Sequence, residues 1–154
     1  MENSPTPPPY ASFWRRALAL LIDGIILALL IAVLGYAFEK AWTATEWQSW
    51  NYPEDALPFA LFMLALLIAT LYNALWESSE YQATPGKMAL GLRVVDLHTR
   101  PPGFWRALGR AAARYLSAAL IFLGYLMAAF TRRRQTLHDL IAGTLVLHGP
   151  VSKQ

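Results

Sequence analysis

The stretch ALALLIDGIILALLIAVLGYAF, residues 17–38, decides the fold. Its 22 residues carry one charge, Asp23, and as an α-helix they reach about 33 Å, the thickness of a bilayer core. Arg15 and Arg16 precede it, as a basic region precedes a secretory signal. The run is too long for that, since the apolar part of such a signal is roughly 7 to 15 residues, and no small-x-small site closes it. The arginine pair also lacks a twin-arginine export context, with Phe13 and Trp14 before it. A second run, residues 57–76, has no charge, and Pro58 stands where a helix start tolerates it. Both runs are predicted to cross a membrane.

The composition agrees. Of 154 residues, 56% are apolar and 15% charged, and the six Trp, seven Tyr and seven Phe suit a chain that needs ring anchors at two interfaces. No Cys is present, which excludes disulfides and thiolate chemistry. His98, His138 and His148 are scattered, and no HExxH, GxSxG or glycine-rich phosphate loop occurs. The chain is therefore expected to be no enzyme and to need neither cofactor nor metal. Residues 1–12, rich in Pro and Ser, are predicted to be a disordered tail, 13–148 the membrane domain, and 149–154 a C-terminal tail.

A third apolar block covers residues 107–130, but it takes in Arg110 and Arg114. With Arg106 these form a stripe at i, i+4 spacing on one helical face. Before it, Thr84-Pro85-Gly86-Lys87 reads as a helix start and Gly91 as its stop. Residues 92–97 alternate and are rich in Val, and 98–103 form a turn with two Pro, so a short strand or hairpin at the membrane surface is expected. Residues 137–148 are apolar but too short to span, and are expected to pack at the interface.

Lys and Arg set the sides of a membrane protein. Residues 39–56 hold Lys40 against Glu39, Glu46, Glu54 and Asp55, and belong outside, whereas the six cations between Glu77 and Arg114 belong inside with the N-terminus. Arg132, Arg133 and Arg134 conflict with a third full crossing, which would put them outside. A re-entrant hairpin removes the conflict; a plain crossing against the rule is the slightly preferred expectation.

Three motifs follow one another: Phe13-Trp14-Arg15-Arg16 ahead of Asp23, Thr84-Pro85-Gly86-Lys87 leading into Gly91-Leu92-Arg93-Val94-Val95-Asp96, and His138-Asp139-Leu140-Ile141-Ala142-Gly143-Thr144. In this order they closely resemble the RDD family of bacterial membrane proteins, named for one arginine and two aspartates. The resemblance runs from about Tyr10 to Leu147. It places the arginine on Arg16, with Arg15 the alternative register, and the aspartates on Asp23 and Asp139. The turn LHTRPPG at 97–103 departs from a simpler Asp-Gly hairpin. The family implies a multi-pass protein of the bacterial inner membrane, with transport roles proposed and sodium/proton antiport attributed to some members.

The expected fold class is thus an all-α membrane protein with about three transmembrane or membrane-embedded helices and a short cytoplasmic β-hairpin or strand between the second and third. Arg16 and Asp23 lie two turns apart on one helical face, roughly 10 Å along the axis, too far for a direct bond. An aspartate inside a span needs a partner, and the stripe Arg106, Arg110, Arg114 is the expected supplier. Asp23, Asn73 and Glu77 are the candidate ion or proton site. Asp139 also suits a helix cap, while Lys87 and Arg132 to Arg134 are candidate contacts for lipid phosphate.

Two functions follow as expectations. One is a proton- or cation-linked transporter, a homo-oligomer because three spans hardly enclose a pathway. The other is a non-transporting scaffold that binds partner proteins or anionic lipid through a basic cytoplasmic face. A membrane surface suits the arginine stripe better than nucleic acid does.

Overall fold

The computed structural model describes residues 10–43, 56–120, 127, 130, 131 and 133–149. Their elements are α1 (Phe13–Thr43), α2 (Ala56–Ser78), α3 (Pro85–Ala89), β1 (Leu92–Asp96), α4 (Phe104–Ala119), α5 (Leu137–Ala142) and β2 (Thr144–His148). The expected spans at 17–38 and 57–76 lie inside α1 and α2. Leu21, Ile25, Leu29 and Val33 stand exposed on α1, as do Phe59, Phe62 and Leu67 on α2. Only 11% of the apolar window of either helix is buried by protein, the reverse of a soluble core helix. Apolar helices left this bare are matched by hydrocarbon, and the chain is a helical membrane protein.

The expected strand at 92–97 is present as β1, but its partner is not local. β1 pairs antiparallel with β2, from Leu92 opposite His148 to Asp96 opposite Thr144. The turn after β1 closes on Asp96 instead, whose Oδ1 accepts the amides of His98 at 2.8 Å and Arg100 at 2.9 Å. Residues 137–148, expected only to pack at the interface, supply both α5 and β2. The far edge of β2 is covered by the N-terminal segment: Tyr10 bridges to Leu147, and the Ala11 amide donates to the Val146 carbonyl at 2.9 Å. Two residues assigned to a tail therefore belong to the fold, while residues 1–9 lie outside the described residues.

Each strand follows a short helix through a left-handed glycine, Gly91 at φ 63° and Gly143 at φ 60°. Only glycine adopts this conformation without a Cβ penalty. The unit occurs twice in one order, Thr84–α3–Gly91–β1 and Thr136–α5–Gly143–β2. Val94 and Val146, equivalent in the two units, pair at the centre of the ladder, as a local two-fold requires. They pack with Ala11, Ala19 and Leu92 in a small apolar core under the end of α1.

The sheet corrects the expectation of a plain third crossing. Such a crossing would separate residues 133–149 from 79–103 by a bilayer, whereas the ladder and the contacts below join them. Helix α4 runs antiparallel along α2, with Arg110 opposite Glu77, Arg114 opposite Asn73 and the Tyr115 hydroxyl donating to the Leu66 carbonyl at 2.9 Å. Of the expected third block, residues 107–119 are in α4, and most of 120–130 lies outside the described residues.

Candidate functional site

Asp23 is buried on α1, and its partners are not arginines. Its Oδ2 accepts the Thr84 hydroxyl at 2.5 Å; its Oδ1 accepts the Gly86 amide at 2.8 Å and the Tyr72 hydroxyl at 3.2 Å. Thr84 is the N-cap of α3 but makes no cap bond with its own side chain. The carboxylate of α1 satisfies that helix start in its place. This corrects the expectation that the arginine stripe seals Asp23. The physical reason is local: three neutral donors fill three of the about four acceptor sites of the Asp23 carboxylate, and a guanidinium is not needed.

The approach is close enough to demand glycine. A Cβ at Gly86 would meet the Ala19 carbonyl oxygen at 2.5 Å and the Asp23 Cγ at 2.8 Å. Backbone cannot yield cheaply, so Gly86→Ala is expected to destabilise by about 1–3 kcal/mol. Gly109→Ala in α4, where a Cβ would meet nothing within 4 Å, is the control and should be neutral or slightly stabilising. Thermal unfolding of the two variants in detergent reads the difference; equal midpoints would contradict the packing described.

Arg16 serves the second unit. Its Nη1 donates to Asp139 Oδ2 at 2.5 Å and its Nη2 to the Val146 carbonyl at 3.5 Å, while its Nε is buried without a partner. Arg15 is exposed, and of the two registers it is Arg16 that reaches Asp139. Asp139, in the first turn of α5, also accepts the Thr136 amide at 3.1 Å, so the expected capping role and the charge pairing coexist. Two residues two turns apart on α1 thus hold the two copies of the repeated unit: Asp23 holds α3, and Arg16 holds α5 and β2.

The arginine stripe ties the rest together. Arg110, 2% exposed, donates from Nε and Nη2 to Asp139 Oδ1 at 2.8 and 2.7 Å, and from Nη1 to Glu77 Oε2 at 2.6 Å. Glu77 Oε1 accepts from Lys87 and, at 3.3 Å, from Arg114, whose Nη1 reaches the Asn73 Oδ1 at 2.7 Å. Arg106 stands apart, half-exposed, at 3.3 Å from Asp96. Of the expected ion site, Asn73 and Glu77 share Arg114, and Asp23 belongs to a separate arrangement. Among the candidate phosphate contacts, Lys87 is turned inward to Glu77, Arg133 and Arg134 are exposed, and Arg132 lies outside the described residues.

Charge states follow from this packing. Burial alone would raise the Asp139 carboxyl, but the guanidiniums of Arg110 and Arg16 outweigh it and hold the group well below the usual range. Burial pushes Lys87 down to about 8, with Glu77 opposing. His138 is buried between the Ser117 hydroxyl at 3.2 Å and the Thr136 hydroxyl at 2.9 Å. Burial, reinforced by Arg110, lowers it to about 2, so it is neutral at physiological pH.

Between α1 and the α4, α5 and β2 side lies a cavity of about 310 Å³. Its surface is mostly apolar, and Arg16, Asp23, Lys87, Arg110, Arg114 and His138 are among the residues that border it. Sequence reasoning did not find Thr84, Gly86 and Tyr72 as the partners of Asp23, nor the Arg16–Asp139 pair.

YxaI of Bacillus subtilis, an uncharacterized protein, is 31% identical over 90% of this chain and 97% of its own. YteJ of the same organism, an uncharacterized membrane protein, is 27% identical over 90% of this chain and 81% of its own. An uncharacterized protein of Haemophilus influenzae is 30% identical over 89% and 77%. No solved structure matches. The RDD family matches residues 10–143, from the tyrosine that bridges to β2 to the glycine that ends α5, and the chain belongs to this family.

Proposed function

We propose that this protein is a non-transporting scaffold of the bacterial cytoplasmic membrane, with its N-terminus, the β1–β2 sheet and residues 133–149 in the cytoplasm. Its basic interfacial face binds anionic groups. The observation that carries the reading is the closure of every candidate carboxylate. Asp23 accepts three donors, Glu77 three cations, and Asp139 two arginines and an amide.

The orientation rests on charge. With residues 133–149 on the side of 79–103, the exposed Arg133 and Arg134 join Arg100 and Arg106, and one side carries the basic residues. That is the pattern of a cytoplasmic face, where anionic lipid attracts such residues.

The test is flux. Proteoliposomes of the wild-type protein under an imposed pH or sodium gradient should relax no faster than protein-free liposomes. Faster relaxation that Asp23→Asn abolishes would establish the exchanger reading in place of this one. Asp23 is the variant to use because it lines the cavity and its described partners are neutral.

A further inference from the structure

We infer that α4 is a half-membrane helix, which enters the bilayer from the side of the N-terminus and ends near the midplane, and that its outer face from Ala112 to Leu120 is a contact surface for the acyl chains of that one leaflet. The inference rests on the placement of residues 133–149 given above and goes beyond the scaffold reading, because it assigns a surface and the partner of that surface.

The depth of α4 is read from its register on α2. Arg110 bonds Glu77 and Arg114 bonds Asn73, so the two helices advance in opposite directions at the same rate. The same register brings Ala112 level with Leu75 and Leu120 level with Leu67. Leu67 stands at the centre of the span 57–76. The Tyr115 hydroxyl reaches that centre directly, since it donates to the Leu66 carbonyl. Helix α1 gives the same scale: Asp23 lies six residues inside the span 17–38, and it bonds Tyr72, four residues inside the other span. The last turn of α4 therefore sits about 15 Å below the edge of a hydrocarbon core of about 30 Å. Its first turn lies beyond the end of α2, where Trp105 is exposed and Arg106 reaches Asp96, as suits the headgroup level.

The outer face of α4 changes character along this path. Trp105, Arg106 and Gly109 are exposed before the boundary, whereas every exposed residue of α4 past Arg110 is uncharged. Leu116 is 51% exposed and Leu120 46%. At their depth the surrounding medium is hydrocarbon, which matches them. The two charges of this half, Arg110 and Arg114, turn inward to Glu77 and Asn73, as charges below the surface must.

The helix does not continue to the far side. It ends with its cap at Leu120, and by Thr131 the chain is back beside the sheet. The Thr131 hydroxyl donates to the Gln135 carbonyl at 3.1 Å, and the Gln135 side-chain amide donates to the Thr144 carbonyl of β2 at 2.9 Å. Residues 121–130 separate Leu120 from Thr131, a reach of at most about 40 Å. A visit to the far surface and a return would take about 45 Å.

The chain has no Cys, so single-cysteine variants of the full chain carry one nitroxide each. In liposomes of phosphatidylethanolamine and phosphatidylglycerol, power-saturation EPR with oxygen and a nickel chelate measures the depth of labels at Ala112→Cys, Leu116→Cys and Leu120→Cys. Leu67→Cys and Leu75→Cys, both exposed on α2, set the scale. The Leu120 label is expected within about 3 Å of the Leu67 label and about 12 Å deeper than the Ala112 label, which should match Leu75. The Leu116 label lies between them and keeps the gradient readable should Leu120→Cys fail to fold. An impermeant maleimide added to sealed vesicles should react with Arg15→Cys and Arg133→Cys from the same side.

One shallow depth for Ala112, Leu116 and Leu120 would lay α4 on the surface and overturn the proposal. Spin–spin broadening with loss of oxygen access at Leu116 and Leu120 would put a second copy of the chain on this face in place of acyl chains. Reaction of Arg15→Cys and Arg133→Cys from opposite sides would make α4 the first half of a full crossing. All three outcomes are read without ion flux, so the flux test above decides the scaffold reading separately.

Discussion

Glu77→Gln is expected to lower stability by about 3–5 kcal/mol, the usual effect of removing one partner from a buried ion pair. The side chain is fully buried, and Arg110, Arg114 and Lys87 all converge on its two oxygens. Glutamine keeps the volume and one acceptor oxygen, so the loss reads charge and not a cavity. Arg114 and Lys87 would then lose their carboxylate partner among the described residues, and Arg110 would keep only Asp139. Denaturant unfolding in a fixed detergent measures the effect; a change below about 0.5 kcal/mol, the size of an ordinary surface substitution, would show that the cations are satisfied by something else.

Asp139→Asn is expected to cost a similar amount, about 3–5 kcal/mol, for a related reason. Asparagine still accepts the Thr136 amide, so the start of α5 remains capped and the loss belongs to Arg16 and Arg110. The pH dependence separates the two contributions further. A carboxyl held below its unfolded value contributes fully above that value, 3.8 here, and loses the contribution as pH falls through the folded one. The difference between wild type and Asp139→Asn should therefore be flat from about pH 8 to about pH 5 and shrink only in stronger acid. Because both carboxylates share Arg110, the double variant Glu77→Gln with Asp139→Asn should fall short of or exceed the sum, not match it.

Some of this was legible in the chain. Residues 17–38 and 57–76 had to be spans, because no other environment accepts some 20 apolar residues in succession. The stripe of Arg106, Arg110 and Arg114 was visible from its spacing, and each member reaches a buried carboxylate, Arg106 that of Asp96 and the other two that of Glu77. The partner of Asp23 was not visible, because pairing by opposite charge looks for a cation, and Thr84 and Gly86 are neutral groups 61 and 63 residues away.

The strand pairing was hidden for another reason. Thr144–His148 is a five-residue apolar run, which periodicity alone cannot assign to strand or helix. A signal did exist in the repetition of Thr, a short helical segment, Gly and a Val-containing strand at 84–96 and 136–148. Such a repeat places equivalent strands side by side, and with them the side of the C-terminal segment. The conflict between Arg132 to Arg134 and a third crossing pointed the same way.

Two residues on one face of α1 have separate tasks: Asp23 holds the start of α3, and Arg16 holds Asp139 of α5. A double-mutant cycle tests this most directly. Arg16→Gln with Asp139→Asn should show a coupling of about 1.5 kcal/mol or more, and Arg16→Gln with Asp23→Asn should be additive within about 0.5 kcal/mol. Strong coupling between Arg16 and Asp23, with none between Arg16 and Asp139, would contradict it.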